Sequence, residues 1–190
     1  MAAERPQDNK KEIEEAVKIS MRQQLSAVTE KFEANVKYES NDEVVILKSH
    51  LVVEYYLNQI LALFSESRNK IDKLDFYEKV DEIEKVEKLK KEGYIKPETF
   101  ASVRALNKVR NEMGHELDFK FTEHHVDKVG FPLGEDYILK KFQNKLNPKA
   151  LFLYVMFCVV QALYTPIAME VAMNKIEEIK KVSKEKPQTT

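Results

Sequence analysis

The chain has 190 residues, of which 43% are hydrophobic and 33% are charged, a composition typical of one soluble globular domain. Four glycines and six prolines are too few for an all-β protein with frequent turns, so long helices are expected. A formal net charge of −1 excludes a strong global attraction to nucleic acid, and the single cysteine, Cys158, excludes an internal disulfide and a cysteine-based zinc site.

Apolar residues spaced three or four apart predict two helices in the first third of the chain. The first is expected from about residue 9 to about residue 37, and the second from about residue 40 to about residue 64. Ser40 and Glu43 have the spacing of a capping box, which satisfies two free backbone amides at a helix start. The apolar stripe of the first helix consists of Ile13, Val17, Met21, Leu25, Val28, Phe32 and Val36.

Capping signals define the next two predicted helices. The third begins near Asp75, which is followed three residues later by Glu78, and Gly93 is well placed to end it. Pro97 fits the first turn of the fourth helix, where its missing amide costs nothing. This fourth helix is expected to extend to about residue 117.

The remaining segments complete a single domain. Residues 118–146 are less regular and are expected to form a loop packed on the core, with a short helix near 137–142. Asn147 and Pro148 start a fifth helix that extends to about residue 182, and Pro166 is expected to kink or split it. Residues 183–190 are expected to be a disordered tail. The sequence therefore predicts one all-α domain over residues 1–182, a bundle of four to five helices.

The segment 150–173 is almost wholly apolar and is long enough to cross a bilayer. Gln161, Thr165, Pro166 and Glu170 interrupt it, and every other predicted helix needs an apolar partner. A buried core helix is therefore the preferred interpretation, and a membrane span is the alternative. The polar N-terminus contains no apolar stretch typical of a secretory signal, so a cytoplasmic location is expected.

The fourth predicted helix carries the polar residues of greatest chemical interest. On a helical wheel, its apolar residues fall in one sector of about 120°. Arg104, Lys108, Asn111 and His115 lie roughly opposite, so this ridge is a candidate phosphate-binding surface. Arg110 falls inside the apolar sector, where a guanidinium needs a partner or a wet cleft. The apolar sector consists of Val103, Leu106, Val109, Met113 and Leu117.

The second predicted helix shows a complementary irregularity. Glu54 interrupts its apolar face between Leu47 and Leu61. A carboxylate and a guanidinium that both fall on apolar faces can satisfy each other by a bidentate contact. We therefore predict that Glu54 meets Arg110 and orients it.

The decapeptide 106–115, Leu-Asn-Lys-Val-Arg-Asn-Glu-Met-Gly-His, resembles the signature of the HEPN superfamily. That signature is an arginine followed by a polar residue and, after four to six intervening residues, a histidine. Arg110, Asn111 and His115 match it with four intervening residues. The resemblance covers roughly residues 40–120 and places the motif near the end of a helix in an all-α chain.

The resemblance implies a fold and an activity. HEPN proteins are helical bundles that often pair so that two motif helices face each other, and many cleave RNA without a metal in toxin–antitoxin, CRISPR and antiviral systems. For this chain it implies a homodimeric endoribonuclease in which His115 transfers protons, Arg110 stabilises the phosphate and Asn111 orients the reacting groups. Arg104 and Lys108 are the expected substrate-binding cations and Glu54 the supporting residue. No cofactor is expected.

Alternative interpretations remain for each of these features. Other HEPN-like proteins are non-catalytic modules, so this chain is alternatively a binding or regulatory module for a nucleotide or a protein partner such as an antitoxin or regulator. His115 is alternatively a cap that interacts with the helix dipole, and Gly114 permits a close backbone approach within the bundle or across a dimer. His124 and His125 are adjacent on an expected loop, where two histidines rarely converge on one metal, so no metal site is expected.

Overall fold

The computed structural model describes residues 19, 23, 26–65, 68–144 and 146–185. Its regular secondary structure is entirely helical, with no strand in any of these ranges. The predicted all-α helical bundle is therefore confirmed, although the described residues form eight α-helices and not the predicted four to five.

The first described helix, α1, covers residues 26–32 and continues as a π-helical turn, Glu33–Lys37. Its residues Val28, Phe32 and Val36 are buried, as the apolar stripe predicts. The earlier stripe positions 13, 17, 21 and 25 lie outside the described residues.

Helix α2, Asp42–Phe64, is capped differently from the prediction. The N-cap is Asn41 rather than Ser40, and its Oδ1 accepts hydrogen bonds from the amides of Glu43 and Val44 at 2.8 and 3.2 Å. Asparagine is as good an N-cap as serine, so the sequence offered two adjacent candidates.

The predicted third helix is two helices in the structure, α3, Phe76–Lys85, and α4, Glu87–Glu92. Val86 has an extended backbone between them, with φ −65° and ψ 107°. The capping box at the start of α3 is confirmed, and a left-handed Gly93 (φ 63°) ends α4 as predicted.

Helix α5, Pro97–His115, contains the motif and has proline in its first turn, as predicted. It ends two residues before the predicted limit.

The segment expected to be mostly loop contains α6, Glu123–Gly130, a 3₁₀ turn, Phe131–Leu133, and α7, Glu135–Asn144. The prediction missed α6 because its capping box pairs Thr122 with His125 instead of the usual glutamate or glutamine. With only eight residues, α6 also gives too short a periodic pattern to be recognised.

Helix α8, Pro148–Glu185, remains one helix with Pro166 inside it, so of the two predicted outcomes, a kink or a split, the split is wrong. It extends three residues beyond the predicted end, so residues 183–185 are helical and not part of a disordered tail, and residues 186–190 lie outside the described part. It is the one described helix that is long and apolar enough to cross a membrane. Its side chains Phe152, Val155, Val159 and Leu163 are fully buried, so α8 contributes a large part of the core.

Helix α2 occupies the centre of the bundle. It packs against α8, α3 and α5, while α6 contacts both α5 and α8. Its side chains at Ile46, Val53, Leu57 and Ile60 are at most 1% exposed between these neighbours. The arrangement fixes the position of α5, because its apolar face lies directly against the central helix.

Candidate functional site

The last turns of α5 extend beyond the packed core. Val103, Leu106 and Val109 are fully buried, Met113 is half-buried and Leu117, just past the helix, is 101% exposed. The predicted apolar sector therefore contacts the core over only part of its length. This explains why Arg110 is solvent-exposed although its wheel position lies inside that sector.

The three motif residues all lie on this end of α5 and are called the motif strip. Arg110 Nη1 donates a hydrogen bond to Asn111 Oδ1 at 3.0 Å. Asn111 and His115 are one helical turn apart and therefore lie on the same side of α5. Arg110 and His115 are exposed, and neither forms an ion pair within the described ranges. The strip can therefore offer a guanidinium, an amide and an imidazole to an anionic ligand.

The predicted contact between Glu54 and Arg110 is wrong. Glu54 Oε1 instead accepts a hydrogen bond from Lys79 Nζ at 2.6 Å, and the Lys79 side chain is only 7% exposed. A buried ammonium needs a carboxylate more strongly than an exposed guanidinium does, because its desolvation is far more costly. Lys79 belongs to α3, which a wheel of α2 and α5 alone could not reveal.

The two predicted substrate-binding cations have different surroundings. The Arg104 guanidinium donates to both carboxylate oxygens of Glu84, at 3.0 and 2.5 Å, and to Asp81 at 2.7 Å. The hydrogen bond to Glu84 raises the pKa of Arg104 and outweighs the opposite effect of burial. Lys108 is exposed and forms no ion pair with any described residue. Of the two, Lys108 is the one whose charge remains accessible to a ligand.

A buried hydrogen bond beneath the motif was not predicted. His50 Nε2 lies 2.9 Å from Asn107 Oδ1, and the imidazole stacks on Phe76 with 4.3 Å between the ring centroids. Since an amide oxygen only accepts, Nε2 carries the hydrogen. Burial lowers the pKa of His50, and the positive charges of Arg110 and Lys79 act in the same direction. The signal in the sequence was a histidine one turn before Glu54, within the apolar face of α2.

No contact within the described part of the chain requires a glycine at position 114. Gly114 is exposed, and a Cβ built on it would meet no atom within 4 Å. The predicted close backbone approach within the bundle is therefore absent among the described residues.

The neighbouring helix α6 holds the motif end of α5 in place. Lys128 Nζ donates to both oxygens of Glu112, at 2.9 and 2.8 Å. His125 Nδ1 accepts a hydrogen bond from the Thr122 amide at 3.1 Å, and burial, together with the charge of Lys128, lowers the pKa of His125. His125 therefore serves as a helix cap. Within the described residues, no group of three histidine, cysteine or acidic side chains is arranged to hold a metal ion.

Comparisons with protein-family models, curated proteins and solved structures find no match to this chain. The resemblance to HEPN proteins therefore depends on the motif residues themselves and on the all-α fold that carries them.

Proposed function

We propose that the chain is a cytoplasmic, metal-independent endoribonuclease of the HEPN type. The observation that carries the proposal is the exposed strip of Arg110, Asn111 and His115 at the projecting end of α5, where the guanidinium has no carboxylate partner among the described residues. Exposed cationic and proton-transferring groups within two turns at one end of a helix suit a phosphodiester substrate.

The reaction needs no external reactant. An imidazole of His115 takes the proton of an RNA 2′-hydroxyl, whose oxygen attacks the adjacent phosphorus. The bond from phosphorus to the 5′-oxygen breaks, and a protonated imidazole gives its proton to that leaving oxygen. Arg110 stabilises the charge that develops on the phosphate oxygens. The products are a 2′,3′-cyclic phosphate and a free 5′-hydroxyl.

A homodimer supplies the two imidazoles in different protonation states. The surface around the motif suits pairing because Leu117 is fully exposed, Met113 is half-buried and Gly114 adds no side chain. Two copies of α5 that meet at this end bring their motif residues to one cleft, with the exposed apolar residues at its border.

The test is incubation of purified protein with mixed RNA in EDTA, followed by mass analysis of the fragment ends. The proposal predicts cyclic phosphate ends from the wild type and none from Arg110→Ala. Fragments that form only after addition of a divalent metal, or that carry 3′-hydroxyl ends, would contradict it.

A second candidate function is a non-catalytic module that binds a protein partner. Exposed apolar side chains on and beside α7 favour it, since exposed apolar surface can mark a protein-binding site. Phe142 is 75% exposed, and Leu139 and Phe131 are each more than half exposed. If RNA is never cleaved while Phe142→Glu abolishes binding of a co-purifying protein, this function replaces the first.

A further inference from the structure

A cleft of about 420 Å³ lies between α3, α4 and the first turns of α5. Its volume falls within the range of small-molecule sites, about 300–1,000 Å³. The walls are mainly apolar, and three polar side chains, Glu84, Lys90 and Lys96, stand around them. The apolar wall residues are Ile83, Leu89, Ile95, Pro97 and Phe100.

Lysines supply the accessible cations at this cleft. Both carboxylate oxygens of Glu84 accept hydrogen bonds from Arg104, which Glu84 shares with Asp81. Lys90 reaches only the exposed Glu87, at 3.5 Å. Lys96 is exposed and has no ion pair within the described part of the chain. Lys96 also precedes the first turn of α5, where the helix dipole adds to the attraction for an anion.

The geometry points to a binding site for a small amphipathic carboxylate, with its alkyl or aryl body in the cleft and its headgroup at Lys96 and Lys90. An apolar wall excludes strongly polar ligands, because their desolvation would have no compensation there. The two lysines distinguish a carboxylate from a neutral molecule of the same shape.

This site is separate from the motif. Lys96 precedes α5 and His115 ends it, so the 19-residue helix separates them by about 28 Å. The proposed ligand site can therefore be tested independently of RNA cleavage.

The test is titration of the full chain with decanoate, followed by amide chemical shifts in two-dimensional NMR. We expect saturable shifts at Gly93, Ile95 and Phe100. Lys96→Glu should weaken binding about fivefold or more, since an exposed charge pair contributes up to about fivefold and the reversed charge also repels the headgroup. Lys91→Glu is the matched control, because Lys91 is an exposed lysine of α4 that does not line the cleft, and its affinity should equal that of the wild type.

Decanol separates charge recognition from apolar partitioning, and it should bind several-fold more weakly than decanoate. The proposal is overturned if decanoate produces no saturable shift in the cleft, or if its shifts centre on the exposed apolar residues of α7. Equal affinities for decanol and decanoate, or equal weakening by Lys96→Glu and Lys91→Glu, would also overturn it.

Discussion

Glu54 and Lys79 form a largely buried ion pair, with 2.6 Å between Oε1 and Nζ, at the junction of α2 and α3. The pair satisfies a lysine that is almost fully enclosed, and it leaves Arg110 without a carboxylate partner among the described residues. The same contact thus stabilises the bundle and keeps the guanidinium accessible at the motif.

Removal of Glu54 should therefore destabilise the fold, whereas removal of Arg110 should not. We expect Glu54→Ala to lower the free energy of unfolding by about 2 kcal/mol or more, because it leaves the Lys79 charge buried without a partner. Arg110→Ala should change it by less than about 0.5 kcal/mol, as exposed substitutions usually do. Urea denaturation at pH 7 measures both. Equal losses in the two variants would show that Glu54 stabilises the fold through Arg110.

The buried imidazole of His50 should make stability depend on pH. Its pKa is lowered in the folded state, so between the usual histidine value and that lower value the unfolded chain binds more protons. Its contribution is complete above about pH 6.5 and is lost as the pH falls through the folded pKa. Thermal unfolding from pH 7.5 to 5 should show a decreasing midpoint.

His50→Gln removes this titration and keeps a donor for Asn107, so its midpoint should fall less steeply below pH 6.5, about the ordinary histidine pKa. Some slope should remain, because burial also lowers the pKa of His125. His124→Gln is the control, since His124 is exposed. If the unfolding midpoint of His50→Gln depends on pH as steeply as that of the wild type, His50 is not the group that causes the pH dependence.

Two glycines should respond oppositely to the same substitution. A Cβ at Gly130 would overlap the ring of Tyr137, a fully buried side chain whose hydroxyl donates to Asp127. Gly130→Ala should therefore cost about 1–3 kcal/mol of unfolding free energy. Gly114→Ala meets no atom of the described chain and should stabilise the monomer by up to about 1 kcal/mol. Chemical denaturation at low protein concentration tests both, and a destabilised Gly114→Ala monomer would contradict the account.

Substitution of Lys108 should affect RNA binding, whereas substitution of Arg104 should affect the stability of the fold. Lys108→Ala should weaken RNA binding, measured by fluorescence anisotropy at low salt, and leave the unfolding midpoint unchanged, because this exposed lysine forms no ion pair with a described residue. Arg104→Ala should lower the unfolding midpoint, because Asp81 and Glu84 lose their shared partner. If Arg104→Ala instead impairs only RNA binding, the ion pairs of Arg104 with Asp81 and Glu84 must open in the wild type when RNA binds.

Local signals predicted the ends of several helices well. Asp75 with Glu78, the left-handed Gly93 and the first-turn Pro97 all act within one helical turn, so their effect can be read from adjacent residues. The break between α3 and α4 at Val86 was not predicted, because no proline or glycine lies there.

Contacts between distant segments explain the predictions that were wrong. Glu54 and Lys79 are 25 residues apart, and only the packing of α3 on α2 brings them together. The wheel of α5 treated every turn as equally buried, but Val109 is the last fully buried residue of this helix, so the wheel could not place Arg110 in solvent. The placement of Arg110, Asn111 and His115 at the end of one helix could be predicted because it depends on that helix alone.

The most direct test of the central claim compares two exposed histidines on neighbouring helices. Cleavage of a single-stranded RNA in EDTA should fall at least about a hundredfold in His115→Ala, since a positioned proton-transfer group contributes roughly 10²–10⁴-fold to the rate. His124→Ala should retain the wild-type rate, because His124 lies on α6 outside the motif strip. Equal rates for His115→Ala and the wild type would contradict the assignment of the end of α5 as an active site.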